Sequence, residues 1–426
     1  MIAGLFAGLL ALLATGIPVG IGIGIVGIVA GYVGMGEASL AALPSTLFAG
    51  INSFLLIAIP LFILMSEILS RGGVTEILFN TVTRWLGHLP GGLAVSAVVT
   101  SAIGASITGS SVANAASMAI VCVPPLLARG YDRRFSYGLV AAAGTLGIMI
   151  PPSIPMLLYG EITEESIGAL FMAGIIPGLL ITAALIAYTV VVCSRGGVAE
   201  AIPKASWAER WEATTRAIPA MMLPIIVVGG IYSGTFTPTE AAAVGVTWAL
   251  IVGVLIYRTV GVRQIVAALR STLISTSLIL VIIAGSNVLG AAVTRLQISQ
   301  DMLAMVQALD LPSWAFIACT MVLLFILGMI LEVISIIFII LPILHPIIVS
   351  LGVDPIWYAV IFTLNMEIAL ITPPVGMVLY VMTGILKRPI TEIIQGVLPF
   401  VGVLIGCLII LMIFPGLSTW LPNLLR

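Results

Sequence analysis

Two Pro-Pro pairs, Pro151-Pro152 and Pro373-Pro374, interrupt apolar runs 222 residues apart. Proline has no backbone N–H and its ring clashes with the preceding turn, so a helix meeting such a pair gives up hydrogen bonds. In lipid the freed carbonyls and amides are tolerated only where they meet protein, water or an ion. Polar oxygens gather near both pairs. Ser106, Thr108, Gly109, Ser110, Ser111 and Asn114, then Gly144, Thr145 and Gly147, precede the first. Gly328, Glu332, Asn365, Glu367 and Thr372 precede the second, and Gly376 follows it. Carbonyls and hydroxyls with few full charges are what a small hard cation such as sodium requires. Glycines let the backbone approach and turn its carbonyls inward.

Four acids fall in or beside apolar segments, where an unpaired ionisable group is costly. Glu67 precedes Arg71 by four residues and reads as a structural pair. Glu240 follows Thr237-Pro238-Thr239, a helix-start pattern, and reads as a capping residue. Glu332 and Glu367 have no basic residue close in sequence and are the functional candidates. Small polar residues also line ordinary membrane helix contacts. Recurrence of the whole constellation at one offset favours a site over packing alone.

The elements that must position these groups are membrane helices. The chain is 61% hydrophobic and 8% charged, with a mean hydropathy of +1.28, which fits a lipid bilayer and no soluble domain of this length. A net charge of -1 excludes bulk attraction to nucleic acid. Residues 2–35 lack a basic start and a cleavage site, so they read as membrane helices rather than a removable signal. Cys122, Cys193, Cys319 and Cys407 lie singly in apolar runs, and His88 and His345 flank no metal-like cluster. With no nucleophile–base pair and no GxxxxGK[ST] run, neither an enzyme nor an ATP-driven pump is expected.

Laid on itself at the 222-residue offset, the chain matches without a gap over about 54–177. Leu89-Pro90 falls on Leu311-Pro312, Pro124 on Pro346, Gly130 and Asp132 on Gly352 and Asp354, and Gly174 and Pro177 on Gly396 and Pro399. The expected fold is an all-α polytopic membrane protein of two inverted repeats, each with five spanning helices and one re-entrant helical hairpin. The first repeat covers 1–193, with a hairpin at 94–128 and a broken helix at 136–160. A cytoplasmic linker covers 194–216. The second repeat covers 217–426, with a hairpin at 313–348 and a broken helix at 356–382. Each hairpin block is about 35 residues, too long for one span of about 20, and suits a re-entrant pair of helices. The other expected spans are 2–15, 17–35, 50–70, 166–193, 217–233, 239–257, 272–293 and 394–415, with interfacial helices at 75–87 and 299–310. Placing the linker inside puts 14 of the 16 basic residues on the cytoplasmic side and both termini outside. Five crossings per repeat make the second repeat inverted, the pattern of alternating access. Hairpin tips aim helix N-termini at the cavity between them, which favours an anionic substrate such as a carboxylate.

The sequence resembles the large membrane subunit of tripartite ATP-independent periplasmic (TRAP) transporters over essentially its whole length. The resemblance rests on Gly109-Ser110-Ser111-Val112-Ala113-Asn114, Ile150-Pro151-Pro152-Ser153-Ile154-Pro155, Gly230 through Ala241, and Asn365-Met366-Glu367-Ile368 followed by Ile371-Thr372-Pro373-Pro374-Val375-Gly376. It implies an elevator-type, sodium-coupled secondary importer of organic acids, such as C4-dicarboxylates or sialic acid, in a bacterial inner membrane, with a transport domain of hairpins and broken helices that carries substrate past a scaffold. It also implies two partners: a small membrane subunit and a periplasmic substrate-binding protein. Carried onto this chain, one sodium site lies between Ser106–Asn114 and Gly144–Pro152. The other lies between Gly328–Ser335 and Asn365–Gly376, with the substrate near Ser110, Ser111, Asn114, Pro152, Glu332 and Pro374. Position 369 is Ala where the resemblance leads to Gly, so the neighbouring break residues carry that site. With no small-subunit segment before Met1, an unfused form is expected. The alternative is a stand-alone divalent-anion/sodium symporter that needs no binding protein. A channel would instead need a continuous polar pore lining.

Overall fold

The computed structural model describes residues 2–196, 202–309 and 311–424, and these are helical with no strand among them. The first half runs through α1 (Ile2–Ala14), α2 (Val19–Met35), α3 (Glu37–Ala41), α4 (Leu43–Ile51), α5 (Ala58–Arg71) and α6 (Val74–Leu86). It continues with α7 (Gly92–Thr108), α8 (Ser111–Ala128), α9 (Arg133–Thr145), α10 (Ile154–Thr163) and α11 (Ile167–Gly196). The second half runs through α12 (Trp207–Tyr232), α13 (Pro238–Leu250), α14 (Val262–Arg295), α15 (Ile298–Ala308) and α16 (Ser313–Gly328). It ends with α17 (Val333–Ser350), α18 (Pro355–Leu370), α19 (Met377–Leu386), α20 (Ile390–Ile413) and α21 (Gly416–Leu424). Among the described residues, seven helices are by themselves long and apolar enough to cross a bilayer, or eight with one bent pair.

The offset seen in sequence reappears in the helices. Shifting α8 by 222 residues gives both bounds of α17, and α9 and α18 start in the same register. The Gly and Asp matches have a local reason. Gly130 and Gly352 take left-handed φ of +81° and +69°, and amides just beyond them, at Tyr131 and Val353, bond back to the Leu126 and Ile348 carbonyls. That closes α8 and α17 as glycine stops. Asp132 and Asp354 then cap α9 and α18, accepting from Phe135 N at 2.9 Å and from Ile356 N at 2.8 Å. Each glycine ends a hairpin and each aspartate starts the broken helix after it.

Several expected bounds shift. The span expected at 50–70 is two pieces, α4 and the stretch through α5, bent by 58° at Asn52-Ser53-Phe54. The linker is shorter than 194–216, because α12 starts at Trp207 on a Ser206–Glu209 capping box; residues 197–201 of the linker and Arg426 lie outside the described residues. The predicted span 239–257 ends in a π turn over Ile251–Ile256, and α21 was not expected at all. Glu240 forms the other half of a capping box with Thr237, and Glu67 meets Arg71 at 2.9 Å.

Packing crosses the two halves throughout. Helix α2 lies along α14, and α5 along α13; α9 packs on α20, and α18 on α11. The α2–α14 contact is close because both sides are glycine-rich: a Cβ at Gly20 would stand 2.7 Å from the Ile282 amide nitrogen. The α9–α20 crossing is closer still, with Gly138 against the Gly396 carbonyl. Likewise α8 packs on α19 and α10 on α17, so each hairpin's second arm supports the short helix beyond the other half's break.

Candidate functional site

The first constellation is a hairpin tip laid against a broken helix. Helices α7 and α8 turn on Gly109 and Ser110, and Gly109 needs its left-handed φ of +60° to make that turn. Opposite the tip, α9 ends at Thr145, passes through one 3-10 turn, and resumes as α10 after Pro151-Pro152-Ser153. The Pro151-Pro152 and Pro373-Pro374 peptide bonds are both cis, whereas Pro124-Pro125 lies inside α8.

The last-turn carbonyls of α9 are short of helical partners, the Leu146 amide reaching only Ala143 and Gly144, and hairpin side chains supply further donors. Ser101 donates to the Ala143 carbonyl at 2.8 Å, Asn114 to Gly144 at 3.2 Å, and Ser111 to Thr145 at 2.8 Å. Asn114 also reaches the carbonyl and hydroxyl of Ser101, at 3.2 and 3.1 Å, so it ties both hairpin arms to the break. Ser111 and Asn114, expected beside the substrate, therefore use their donors to clamp the fold. Ser110 remains at the tip as the N-cap of α8. Ser101 was missed in sequence because it lies mid-helix in a run of small residues, where only the fold shows what it faces.

Contact at this tip is close. A Cβ on Gly147 would stand 2.5 Å from the Ser110 carbonyl, and one on Gly109 2.8 Å from the Pro152 carbonyl. Ile154 N donates to the Gly109 carbonyl at 3.4 Å. Ser106 and Thr145 donate to carbonyls of their own helices, at Ile103 and Ala142, which leaves hydroxyl lone pairs unspent. The Thr108 hydroxyl is buried without a hydrogen-bond partner. Pro151 and Pro152 are both buried, so the expected members of this first site do come together.

The second constellation repeats the design with a longer tip. Between α16 and α17 lie Met329–Glu332, four residues where the first hairpin has two. The Met329 carbonyl accepts both Val375 N and Gly376 N at 3.2 Å, pinning the tip to the break. Gly376 has φ +58°, so the chain leaves the break through a left-handed step. Thr372 donates to Ile368 at 2.6 Å, Asn365 to Met321 at 2.8 Å, and the Ser335 hydroxyl is buried without a partner. Ala369 fits where Gly was expected because the space is given by Gly328, whose added Cβ would meet that of Ala369 at 2.7 Å.

Two differences separate the constellations. At the second break Pro373 is half-buried and Pro374 exposed, so this side is open where the first is closed. The helix starts differ as well. Ser110 and Ser153 cap α8 and α10 with their hydroxyls, whereas α17 and α19 begin at Glu332 and Gly376 without a side-chain cap. Uncapped first-turn amides are anion-binding groups. Glu332 stands at the N-cap of α17, half-buried, at the position equivalent to Ser110.

Glu367 does not join the second tip. It lies beside the Met149 amide of the first break and near Cys407 on α20. Asn365, about 200° around α18 at 3.6 residues per turn, faces α16 instead.

Two cavities, of about 300 and about 590 Å³, separate the α10–α17 region from α4, α12, α13 and α14. Glu161 lines both, and Ser286, Asn287 and Thr294 line the smaller from α14. No sequence signal marked Glu161, which lies near the end of a short helix.

A sequence model of the tripartite ATP-independent periplasmic transporter, DctM component, matches residues 6–417. The chain is 34% identical to the C4-dicarboxylate TRAP transporter large permease protein DctM of Rhodobacter capsulatus, over 99% of this chain and 98% of that one. It is 33% identical to the sialic acid TRAP transporter large permease protein SiaM of Vibrio cholerae, over 100% and 99%. Its fold is similar to that of the Alcanivorax borkumensis YdaH transporter, with a TM-score of 0.63 at 16% identity over 91% of this chain and 90% of that one.

Proposed function

Since the chain belongs to the DctM component family of tripartite ATP-independent periplasmic transporters, we propose that it is the large membrane subunit of a sodium-coupled importer of small organic acids. The observation that supports the sodium part is the pair of hairpin-against-break constellations at one offset. Each presents hydroxyl and carbonyl oxygens of the kind sodium takes. One ion would be held by Ser106, Gly109, Ser110, Gly144, Thr145, Gly147 and Pro151. A second would be held by Gly328, Asn365, Thr372, Pro373 and Gly376.

Substrate follows from the charges between the tips. No Lys or Arg lies in 92–128, 135–163 or 313–386. A carboxylate there is met by helix N-termini rather than by a cationic side chain, and the uncapped amides of α19 are the best placed, since the Ile334 amide of α17 already faces the Glu332 carboxylate. Pro374 is exposed at the second break, two residues before the α19 N-cap Gly376. C4-dicarboxylates and sialic acid, carried by the relatives' systems, are the substrate classes this arrangement suits. In this reading α7–α11 and α16–α20 move as one body past a scaffold of α2, α5 and α12–α14, with the two hairpins entering from opposite faces of a bacterial inner membrane. Both chain termini then face the periplasm. A small membrane subunit and a periplasmic binding protein complete the system.

The test is uptake of labelled organic acids by proteoliposomes containing this chain and its small-subunit partner, with and without binding protein and an inward sodium gradient. Uptake that requires both supports the assignment. Sodium-driven uptake without binding protein favours a stand-alone symporter, and saturable sodium-independent uptake would withdraw the ion sites.

A further inference from the structure

Glu367 is the one carboxylate side chain among the described residues that is wholly enclosed. It is 0% exposed, and neither carboxylate oxygen has a hydrogen-bond partner. The Met149 amide lies alongside but is used by the Leu146 carbonyl at 3.1 Å. No cationic side chain is at hand. Helix α18, helix α20, the first break and α10 carry no Lys or Arg, and α9 has only Arg133 and Arg134, exposed at its far end. The equivalent residue in the first half, Thr145, is uncharged and satisfied through the Ala142 carbonyl. One half thus places a bare carboxylate where the other has a hydroxyl, at the seam where α18 meets α9 and the 3-10 turn Leu146–Ile148.

A carboxylate enclosed in this way must be neutralised, by a proton or by a bound cation. The break beside it is a stretch of backbone released from helix, where neutral carbonyl oxygens can turn toward an ion. We infer that Glu367 holds a monovalent cation of its own in the seam between the first break and α18, separate from the ions of the two hairpin sites. One carboxylate against one monovalent ion leaves the seam neutral, whereas a divalent ion would leave net charge buried. The inference rests on the sodium-coupled reading above and adds a third ion to it. Because the residue is sealed from solvent, this ion exchanges only when the seam loosens, and so more slowly than ions at the open second tip.

The test is equilibrium and exchange binding of radioactive sodium to the purified full-length chain in lipid nanodiscs. Wild type is compared with Glu367→Gln, which is nearly isosteric and removes only the charge, and with Thr372→Val in the second hairpin site. Expected is one fewer sodium ion per chain in Glu367→Gln, with the slow exchange phase gone. Thr372→Val should lose a fast-exchanging ion and keep the slow one. A folded Glu367→Gln that binds as many ions as wild type, with the same exchange phases, overturns the inference and leaves the hairpin sites standing. Absence of saturable sodium binding in wild type overturns both. Should Glu367→Gln fail to fold, Glu367→Asp retains the charge with a shorter reach. One ion is then expected to bind at least tenfold more weakly, and an isotherm superimposed on wild type counts against the seam ion.

Discussion

Asn114→Ala tests whether the hairpin clamp sets the geometry of the first site. Its two N–H groups serve three acceptors at 3.1–3.2 Å, spread over α7 and α9, so the side chain supplies two full hydrogen bonds. The residue is 1% exposed, and water does not readily replace it. The Ser101 and Gly144 carbonyls keep a second lone pair for helix bonding, which puts the loss at the low end, about 1 kcal/mol per bond and about 2 kcal/mol in all. At 1.4 kcal/mol per tenfold, opening of the tip should become about 30-fold more frequent. Hydrogen–deuterium exchange over residues 105–115 reads that directly, and the sodium midpoint for transport should rise by up to the same factor. If exchange at the tip and the sodium midpoint both stay within twofold of wild type, the clamp is not what holds hairpin to break. Loss of sodium affinity without faster exchange would mean that Asn114 acts as a ligand instead.

Gly147→Ala should push the tip off the break through the Ser110 carbonyl and cut transport severely at normal folded yield; wild-type transport would contradict the contact. Glu332→Ala should impair substrate uptake with the protein folded, seen as lost uptake at an unchanged melting temperature. Thr237→Ala, in contrast, removes one arm of the α13 capping box and should lower stability by about 1 kcal/mol with little effect on uptake per folded molecule. Gly20→Leu overpacks the α2–α14 crossing and should destabilise by about 1–3 kcal/mol or more, measured as a lower melting temperature in detergent; unchanged melting would mean the two helices do not meet there.

Legibility from sequence followed how local each requirement is. Gly130, Asp132, Gly352 and Asp354 could be matched by eye because a helix stop and a helix start depend on a few consecutive residues. The Ser206–Glu209 capping box is equally local, but the basic residues around it have the pattern of a cytoplasmic linker. The Pro151-Pro152 and Pro373-Pro374 pairs announced the breaks for the same reason, although Pro124-Pro125 sits inside α8 without breaking it. What sequence could not supply was direction. Asn365 and Glu367 are two residues apart and looked like one ligand cluster, but the helix turns them to opposite neighbours. Ser111 and Asn114 looked like substrate groups, and only the approach of α9 shows that its carbonyls take their donors. The closed first break and the open second one share a motif, and the difference arises from packing around it.

The interlaced helices also impose an order on how this chain can be made. Gly138 on α9 meets Gly396, which is synthesised 258 residues later. At roughly 5–20 residues per second, that contact is missing for about 13–50 s. Gly20 on α2 waits a similar time for Ile282. Through that interval the first half sits in the bilayer with its glycine notches facing lipid or whatever insertion factor shields them, and its broken helix has no second support. A ribosome stalled before α20 would therefore leave an N-terminal fragment that cannot complete its own core. Such a fragment should be recognised by membrane proteases, and co-expressing the C-terminal half as a separate chain should protect it.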